Sequence, residues 1–369
     1  MIIGTPKEIK DKEFRVGLVP AGVKSLSAAG HQVFIEKGAG LGSDIYDEEY
    51  VRAGATILPT AEEVYGKADM VIKVKEPLSS EYPFLKKGLI LYTFLHLAPL
   101  PELTKELLSR EVIGIGYETV RLDDGYLPLL APMSEVAGRM SIQVGAHFLE
   151  KEERGRGILL GGVPGVEHGH VTILGGGNVG SNAARVAAAL GATVTLLDIN
   201  LHRLAYLEDI FVGRINTLMS NQHNIEEELK MADLVIGAVL IPGGRAPKVV
   251  SKDMLSLMKR GSVIVDVAID QGGCIETSRP TCHSEPVFEV DRVTHYCVTN
   301  MPGAVPRTST FALTNATLPF AMEIADKGIK RAASENMALM KGINTYMGKL
   351  TNAEVADAQC IKYEELTLD

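Results

Sequence analysis

The chain has 369 residues, which exceeds one ordinary domain and suits two α/β domains. Hydrophobic residues make up 46% of it and charged residues 22%, values typical of a globular protein without extended disorder. Lys and Arg total 37 against 46 for Asp and Glu, so the net charge of -9 disfavours binding to nucleic acid.

The amino terminus, the apolar stretches and the cysteines indicate where in the cell the protein is located. The amino terminus is charged where a signal peptide would be apolar, and the longest apolar stretches, such as residues 88–95, are far shorter than the ~20 residues of a membrane-spanning helix. The four cysteines, Cys274, Cys282, Cys297 and Cys360, form no CxxC pair and have no histidine spacing that suits zinc. We therefore expect a soluble, cytoplasmic protein with reduced thiols, and a redox role for one cysteine is left open.

Short β-rich runs alternate with helical stretches, a pattern that predicts parallel sheets. After a first strand, the first third of the chain predicts strands at residues 31–35, 70–74, 89–94 and 112–117, with a helix at 101–109. A second series predicts strands at 171–174, 193–197, 234–238 and 262–267. Beyond Pro302 the pattern predicts two long helices, at about 309–326 and 330–349, with no strand signal of comparable strength.

The strongest local motif is a glycine fingerprint. The segment HVTILGGGNVGSNAARVAAALGATVTLLD contains an apolar strand, then Gly175-x-Gly177-x-x-Gly180, then an Ala-rich helix. Asp198 ends the next strand, where a carboxylate accepts hydrogen bonds from ribose hydroxyls and repels the 2′-phosphate of NADP. The glycines alone would equally suit a tight turn, but strand, helix and acidic residue together predict binding of NAD.

Four charged or titratable side chains lie where a ligand would meet the sheets. Lys75 and His96 follow two predicted strands of the first series, Asp270 follows a strand of the second, and Arg15 lies in the loop after the first strand. Ligands of parallel sheets bind at the carboxyl edge, which favours a functional interpretation. Taken singly, Lys75 and Arg15 would suit surface charges, His96 a loop histidine and Asp270 a turn former.

The segments TPKEIKDKEFRVGLVP, VIKVKEP, the stretch around His96, LLGGVPGV and VTILGGGNVG occur in this order and resemble the bacterial L-alanine dehydrogenase family, which is related to the transhydrogenase alpha subunit. The resemblance covers nearly the whole chain. It implies two Rossmann-like domains with parallel sheets, an NAD-binding domain at 130–305 being inserted into a catalytic domain at 1–129 and 306–369. It also implies a homohexamer and the reversible, NAD-dependent oxidative deamination of L-alanine to pyruvate and ammonia.

The resemblance assigns residues to roles. Arg15 and Lys75 would bind the substrate, as suits a guanidinium facing a carboxylate and an ammonium beside the carboxylate or the carbonyl oxygen, and His96 and Asp270 would act in acid–base catalysis. Histidine is the side chain whose ordinary pKa lies nearest neutrality, which suits proton transfer. The implied cofactor set is Ser134, Gly175, Gly177, Asn178, Val179, Gly180, Asp198, Arg203, Ser220, Val239, Leu240, Val267, Ala268, Ile269, Asp270, Arg279, Val298, Thr299, Asn300 and Met301. Arg203 and Ser220 would border the adenosine, whereas Met133 and Met301 would equally suit the core.

The sequence departs from the family pattern at one point. Some members place a Glu and a His one helical turn apart as a metal pair, but here Glu323 is followed by Lys327. An ammonium is a poor metal ligand, so we expect no metal and an ordinary i,i+4 ion pair.

Three alternatives remain on the sequence alone. The transhydrogenase nucleotide-binding subunit shares the amino-terminal motifs, but the pattern we expect of it lacks the lysine and histidine found here as Lys75 and His96. An opine-type or saccharopine-type dehydrogenase would need a wider pocket, which the sequence does not measure. A non-catalytic NAD-binding protein would have no need of Arg15, Lys75 and His96 together.

Overall fold

The computed structural model describes residues 1–239 and 246–368. By its internal contacts the chain divides into two compact units, one formed by Met1–Met133 with Gly303–Asp369 and the other by Ser134–Pro302. Leu240 of the predicted cofactor set lies outside the described residues.

The secondary structure alternates along both units. In chain order the strands are β1 (Ile2–Thr5), β2 (Gln32–Glu36), β3 (Thr56–Leu58), β4 (Met70–Ile72), β5 (Ile90–Thr93), β6 (Ile113–Gly116), β7 (His170–Leu174), β8 (Thr193–Asp198), β9 (Asn216–Met219), β10 (Leu234–Gly237), β11 (Val263–Asp266), β12 (Val287–Val290), β13 (Val293–Tyr296), β14 (Ile343–Tyr346) and β15 (Lys349–Leu350). The helices are α1 (Pro20–Ala28), α2 (Asp47–Ala53), α3 (Ala61–Lys67), α4 (Pro101–Ser109), α5 (Ala131–Phe148), α6 (Asn178–Ala189), α7 (Leu201–Phe211), α8 (Gln222–Met231), α9 (Pro306–Lys327), α10 (Ile329–Glu335), α11 (Met337–Gly342) and α12 (Ala353–Gln359). Across the described ranges, no helix combines the length and apolar character that crossing a membrane requires.

The first unit is built on an eight-stranded sheet with the order β3-β2-β1-β4-β5-β6-β14-β15. The strands from β3 to β6 are parallel, while β14 runs antiparallel to β6 and β15 antiparallel to β14. The chain order reverses between β1 and β4. This point is the topological switch, where an open parallel sheet leaves a crevice for ligands.

The second unit repeats this plan in a seven-stranded sheet with the order β9-β8-β7-β10-β11-β13-β12. All neighbours are parallel except β12, which pairs antiparallel with β13. Here the switch point lies between β7 and β10. The predicted fold class, α/β with two mostly parallel sheets, is therefore confirmed.

Burial explains why these strands could be predicted from the sequence. Every residue of β4, β5 and β6 is buried, as is every residue of β10 and β11, so these strands are apolar throughout except for Thr93 and Asp266 at the ends of β5 and β11. The eight strands predicted by residue range all occur, with bounds that differ by at most two residues. Helix α4 matches its predicted range, because Pro101 suits a first helical turn and Leu103 and Leu107 share one buried face.

The predicted helix at 330–349 is wrong in its second half. The Asn336 side chain accepts hydrogen bonds from the backbone N–H groups of Ala338 and Leu339 and so begins α11. That helix ends at Gly342, and the fully buried strand β14 follows and pairs with β6. Met347 and Gly348 both have positive φ, 47° and 86°, and form the two-residue turn into β15. Strands β3, β9, β12 and β13 were also missed.

Candidate functional site

Three predicted side chains of the first unit come from loops at one sheet edge. Arg15 follows β1, Lys75 follows β4 and His96 follows β5, and these strands are parallel neighbours. A Cβ atom on Gly17 would lie 2.7 Å from the Ile72 carbonyl oxygen, so the Arg15 loop passes directly against the end of β4. The structure therefore brings Arg15, Lys75 and His96 to the carboxyl edge beside the switch point.

Arg15 is a buried cation with a fixed orientation, not a surface charge, since only 2% of it is exposed. Its Nε and Nη2 donate to the two carboxylate oxygens of Glu13 at 2.7 and 2.6 Å. Its Nη1 lies 3.1 Å from the Met133 sulfur. The paired carboxylate orients the guanidinium plane, which is a requirement for recognising a substrate carboxylate by geometry.

Lys75 lies in a loop that a buried carboxylate holds. Glu8 Oε1 accepts hydrogen bonds from the backbone N–H groups of Val74 at 2.6 Å and of Lys75 at 3.2 Å. Since Glu8 belongs to the segment between β1 and Arg15, one side chain ties together the two loops that carry the predicted substrate contacts.

A buried charge cluster underlies this loop. Lys73 has no exposed surface, and its Nζ lies 2.7 Å from Glu81 Oε1 and 3.4 Å from Glu8 Oε2. Tyr65 donates its hydroxyl to the same Glu81 oxygen at 3.1 Å. Burial lowers the pKa of Lys73, but attraction to Glu8 and Glu81 outweighs it, so the net shift is upward. For Glu8, burial outweighs the attraction of Lys73 and raises the pKa.

His96 is exposed and adopts an uncommon backbone conformation. Its φ is +45°, in the left-handed region. Its ring stacks on the Phe94 ring, with centroids 5.6 Å apart and planes 3° from parallel. The His96 N–H donates to Glu118 at 2.7 Å. A strained, exposed histidine held by specific contacts is typical of a functional position.

The glycine fingerprint of the second unit has the geometry of a nucleotide-binding turn. Gly175 has a φ of +103°, and a Cβ on Gly180 would lie 1.8 Å from the Gly175 carbonyl oxygen. A Cβ on Gly177 would meet nothing within 4 Å. The turn is thus closed on the sheet side and open at Gly177, where α6 begins and its N–H groups suit a pyrophosphate. These residues fit NAD.

Asp198 organises the other side of this turn. Its carboxylate accepts hydrogen bonds from the N–H groups of Gly176 at 2.6 Å and Asn200 at 2.8 Å. Arg203 Nε donates to the Gly176 carbonyl at 2.6 Å, and Ser220 N–H donates to the Asp198 carbonyl at 2.9 Å. The structure therefore brings three predicted cofactor residues, Asp198, Arg203 and Ser220, around the fingerprint.

Asp270 is exposed on a short 3-10 helix, Val267–Gln271, directly after β11. The Asp266 side chain accepts the Ala268 N–H at 3.2 Å and so caps this helix. Burial raises the pKa of Asp266. The helix buries Ala268 and Ile269 and turns Asp270 outward, at the carboxyl end of its strand.

The remaining predicted cofactor residues lie on several segments. Asn300 has a φ of +64° and Met301 is buried, while Arg279 covers the Phe288 ring with its Cζ 4.3 Å from the centroid. The others are Ser134 on α5, Asn178 and Val179 in the first turn of α6, Val239 after β10, Val267 at the start of the 3-10 helix that carries Asp270, and Val298 and Thr299 after β13. Their contacts with a nucleotide stay predictions.

Glu323 and Lys327 form the expected i,i+4 ion pair. Lys327 Nζ lies 2.8 Å from Glu323 Oε1 and 2.8 Å from Glu335 Oε2. Within residues 1–239 and 246–368, no group of three or more His, Cys, Asp or Glu side chains is placed to hold a metal ion.

Sequence patterns did not identify the residues whose contacts fix the positions of the predicted site residues. Glu8 and Glu13 lie in a run of alternating charges that reads as a solvated loop, and Lys73 stands inside an apolar run. Glu118 could have been found, since it follows β6 at the same carboxyl edge as His96. Edge position predicts side chains that face a ligand, whereas a supporting contact depends on tertiary structure.

A doubly wound sheet with a glycine fingerprint at its switch point and a carboxylate ending the next strand defines a dinucleotide-binding protein. The family model described as "Alanine dehydrogenase/PNT, N-terminal domain" matches residues 4–137, and "Alanine dehydrogenase/PNT, C-terminal domain" matches residues 141–353. The chain belongs to the alanine dehydrogenase/PNT family. The predicted family is confirmed.

Individual proteins agree with this assignment. Alanine dehydrogenase of Methanococcus maripaludis is 61% identical over 98% of both chains, and that of Staphylococcus saprophyticus is 57% identical over 99% of both. A solved L-alanine dehydrogenase is 52% identical, with a TM-score of 0.95 over 98% of this chain and 99% of that one. A transhydrogenase structure from Sinorhizobium meliloti is 24% identical, with a TM-score of 0.81 over 96% and 99%, a likeness that concerns the fold alone.

Proposed function

We propose that the protein catalyses the reversible, NAD-dependent oxidative deamination of L-alanine to pyruvate and ammonia. The observation that carries this function is identity of 57–61% to alanine dehydrogenases over nearly the whole chain. The test is steady-state NADH formation with a panel of L-amino acids, alongside reductive amination of pyruvate and glyoxylate. Efficient turnover of another amino acid with none of alanine would contradict the proposal.

The proposed roles follow the chemistry of each side chain. Arg15 and Lys75 bind the substrate carboxylate, the guanidinium by directed hydrogen bonds and the ammonium as a point charge. A bound NAD would supply the hydride acceptor for the substrate Cα. The imidazole nitrogen of His96 then moves protons as water adds to the imine carbon and ammonia leaves, and Asp270 assists these transfers. Glu13 supports the assignment of Arg15, because it fixes the guanidinium plane.

We further propose the division of labour between the parts of the chain. Residues 1–129 and 306–369 form the catalytic domain, and residues 130–305 form the NAD-binding domain, whose cofactor contacts are the set predicted above. We also propose a cytoplasmic homohexamer. Size-exclusion chromatography with light scattering tests the hexamer, and a dimer or monomer at micromolar concentration would contradict it.

Loss of either predicted substrate contact should reduce turnover selectively. Hydrogen bonds to charged groups contribute about 1.5–3 kcal/mol, so Lys75→Ala and Arg15→Ala should each lower kcat/KM for alanine about tenfold to a hundredfold or more. NADH affinity, measured by fluorescence titration, should survive in both, and kcat/KM is taken per folded molecule because Arg15→Ala leaves the buried Glu13 carboxylate without its cation. Lys24→Ala, at an exposed lysine of α1, is the control. Near-normal alanine oxidation would remove the replaced residue from the site.

Asp198 should select NAD over NADP, because its carboxylate repels a 2′-phosphate. We expect kcat/KM to favour NAD by about tenfold or more, and Asp198→Asn to reduce the preference by about that factor while keeping an oxygen for the Gly176 N–H. Asp209→Asn, at an exposed position of α7, is the control. Comparable efficiencies of the wild type with both cofactors would contradict the role.

A further inference from the structure

We propose that Glu118 is a positioning residue for His96, holding it in the left-handed conformation that aims its imidazole. The proposal rests on the proposed function, because the role of His96 does. Glu118 lies on the 3-10 helix Tyr117–Thr119, directly after β6, which is the parallel neighbour of the strand that leads to His96.

The carboxylate receives two consecutive backbone N–H groups. Glu118 Oε1 accepts from His96 at 2.7 Å and from Leu95 at 3.3 Å, and Oε2 accepts from Leu95 at 3.2 Å. Successive N–H groups that converge in this way form a concavity that binds an anion, and a positive φ at its second residue is typical of the arrangement. His96 has that φ, at +45°.

The conformation needs such a partner, because His96 has a side chain that disfavours φ > 0 and is itself exposed. Burial of its own side chain therefore does not hold the backbone. The Phe94 ring stacks on the imidazole, and the side chain of Leu95, the residue between Phe94 and His96, is fully buried. Glu118 thus sets the backbone direction and Phe94 supports one face of the ring.

Glu118 is itself placed by tight packing at the end of β6. A Cβ on Gly116 would lie 3.1 Å from Glu118 Oε1 and 2.7 Å from Asn344 Nδ2, so a larger residue at this strand end would displace the Glu118 carboxylate or the Asn344 amide. Thr119 Oγ1 lies 3.0 Å from the Gly116 carbonyl and 2.9 Å from Asn344 Oδ1, which ties the 3-10 helix to β14. The 3-10 helix that carries Glu118 is therefore fixed both to the end of β6 and to β14.

The experiment is a double-mutant cycle with Glu118→Gln and His96→Ala. The amide keeps the size of the side chain and one acceptor oxygen, but it carries no charge and replaces the second oxygen by an NH₂ group that cannot accept from an N–H. Misplacing a reacting group by about 1 Å costs up to about a hundredfold, so Glu118→Gln should lower kcat about tenfold to a hundredfold. The KM for alanine and the NADH affinity should change less than about twofold, since neither depends on the imidazole direction.

The second arm of the cycle separates positioning from a merely structural role. If Glu118 acts through His96, Glu118→Gln should cost nothing further in the His96→Ala background. Equal losses in both backgrounds, or full kcat in the single variant, would overturn the proposal. Asp69→Asn is the matched control, because Asp69 accepts the Ile2 N–H at 2.8 Å at the start of β1, and it should leave kcat unchanged.

A second variant and a crystal structure test the positioning role independently of the first variant's activity. If Glu118→Gln does not fold, Glu118→Asp, which keeps the charge but withdraws it by one methylene, runs through the same cycle with a smaller expected loss. In a crystal structure of the variant, residue 96 should leave the positive φ region, and retention of φ near its present value would overturn positioning. Failure of the wild type to form NADH from alanine would instead overturn the proposed function.

Discussion

Replacing His96 by alanine should lower kcat for alanine oxidation about a hundredfold to ten-thousandfold, the usual contribution of a general acid–base group. The reason is that addition of water and loss of ammonia both require proton transfer after the hydride has left the substrate. His96 is exposed, so its replacement removes little buried surface and the variant should keep its melting temperature and its NADH affinity.

The pH dependence of the same variant provides a second criterion. A base must be neutral to accept a proton, so an acid limb in the pH profile of kcat/KM should depend on His96. His96→Ala should lack that limb. A variant that melts at lower temperature but retains turnover per folded molecule, or one that keeps the acid limb, would exclude His96 from the chemistry.

The fold was predictable where local pattern and tertiary environment agree. Strands buried on both faces are recognisable as apolar runs, and the fingerprint at Gly175 specifies a strand, a turn and a helix within a few residues. Ligands bind at the carboxyl ends of parallel strands, so residues that follow a strand can be selected without knowledge of the strand order. This rule selects Arg15, Lys75 and His96. Roles in the reaction do not follow from position and came only from the resemblance.

The missed features depend on distant partners. Ile343–Tyr346 becomes a strand because β6 offers an unpaired edge, and nothing near it in sequence encodes that partner. Glu118 follows its strand as many loop carboxylates do. The sequence does not show that it accepts hydrogen bonds from the backbone N–H groups of residues 22 and 23 positions earlier. Lys73 is the clearest case, since a lysine in an apolar run gives no sign that Glu8 and Glu81 neutralise it.

The buried Lys73 should contribute strongly to the stability of the protein. Lys73→Met should lower the free energy of unfolding by about 3–5 kcal/mol, because it leaves two buried carboxylates, Glu8 and Glu81, without their cation. Urea unfolding at fixed protein concentration measures the change. Lys87→Met is the control, since Lys87 pairs with Glu111 at the surface, where an ion pair contributes about 0–1 kcal/mol. An equally small effect at both lysines would contradict the expectation.

The sign of the pH dependence distinguishes lost charge compensation from lost packing. Burial raises the pKa of Glu8 and Lys73 partly offsets it, so removing Lys73 should raise that pKa further. A carboxyl whose pKa is raised on folding contributes stability that is present below its unfolded pKa and is lost as the pH rises through its folded pKa. The defect of Lys73→Met should therefore be larger at about pH 8 than at about pH 5. Glu8→Gln and Glu81→Gln, added to Lys73→Met, should recover much of the loss and abolish this slope, whereas a packing defect would persist at both pH values.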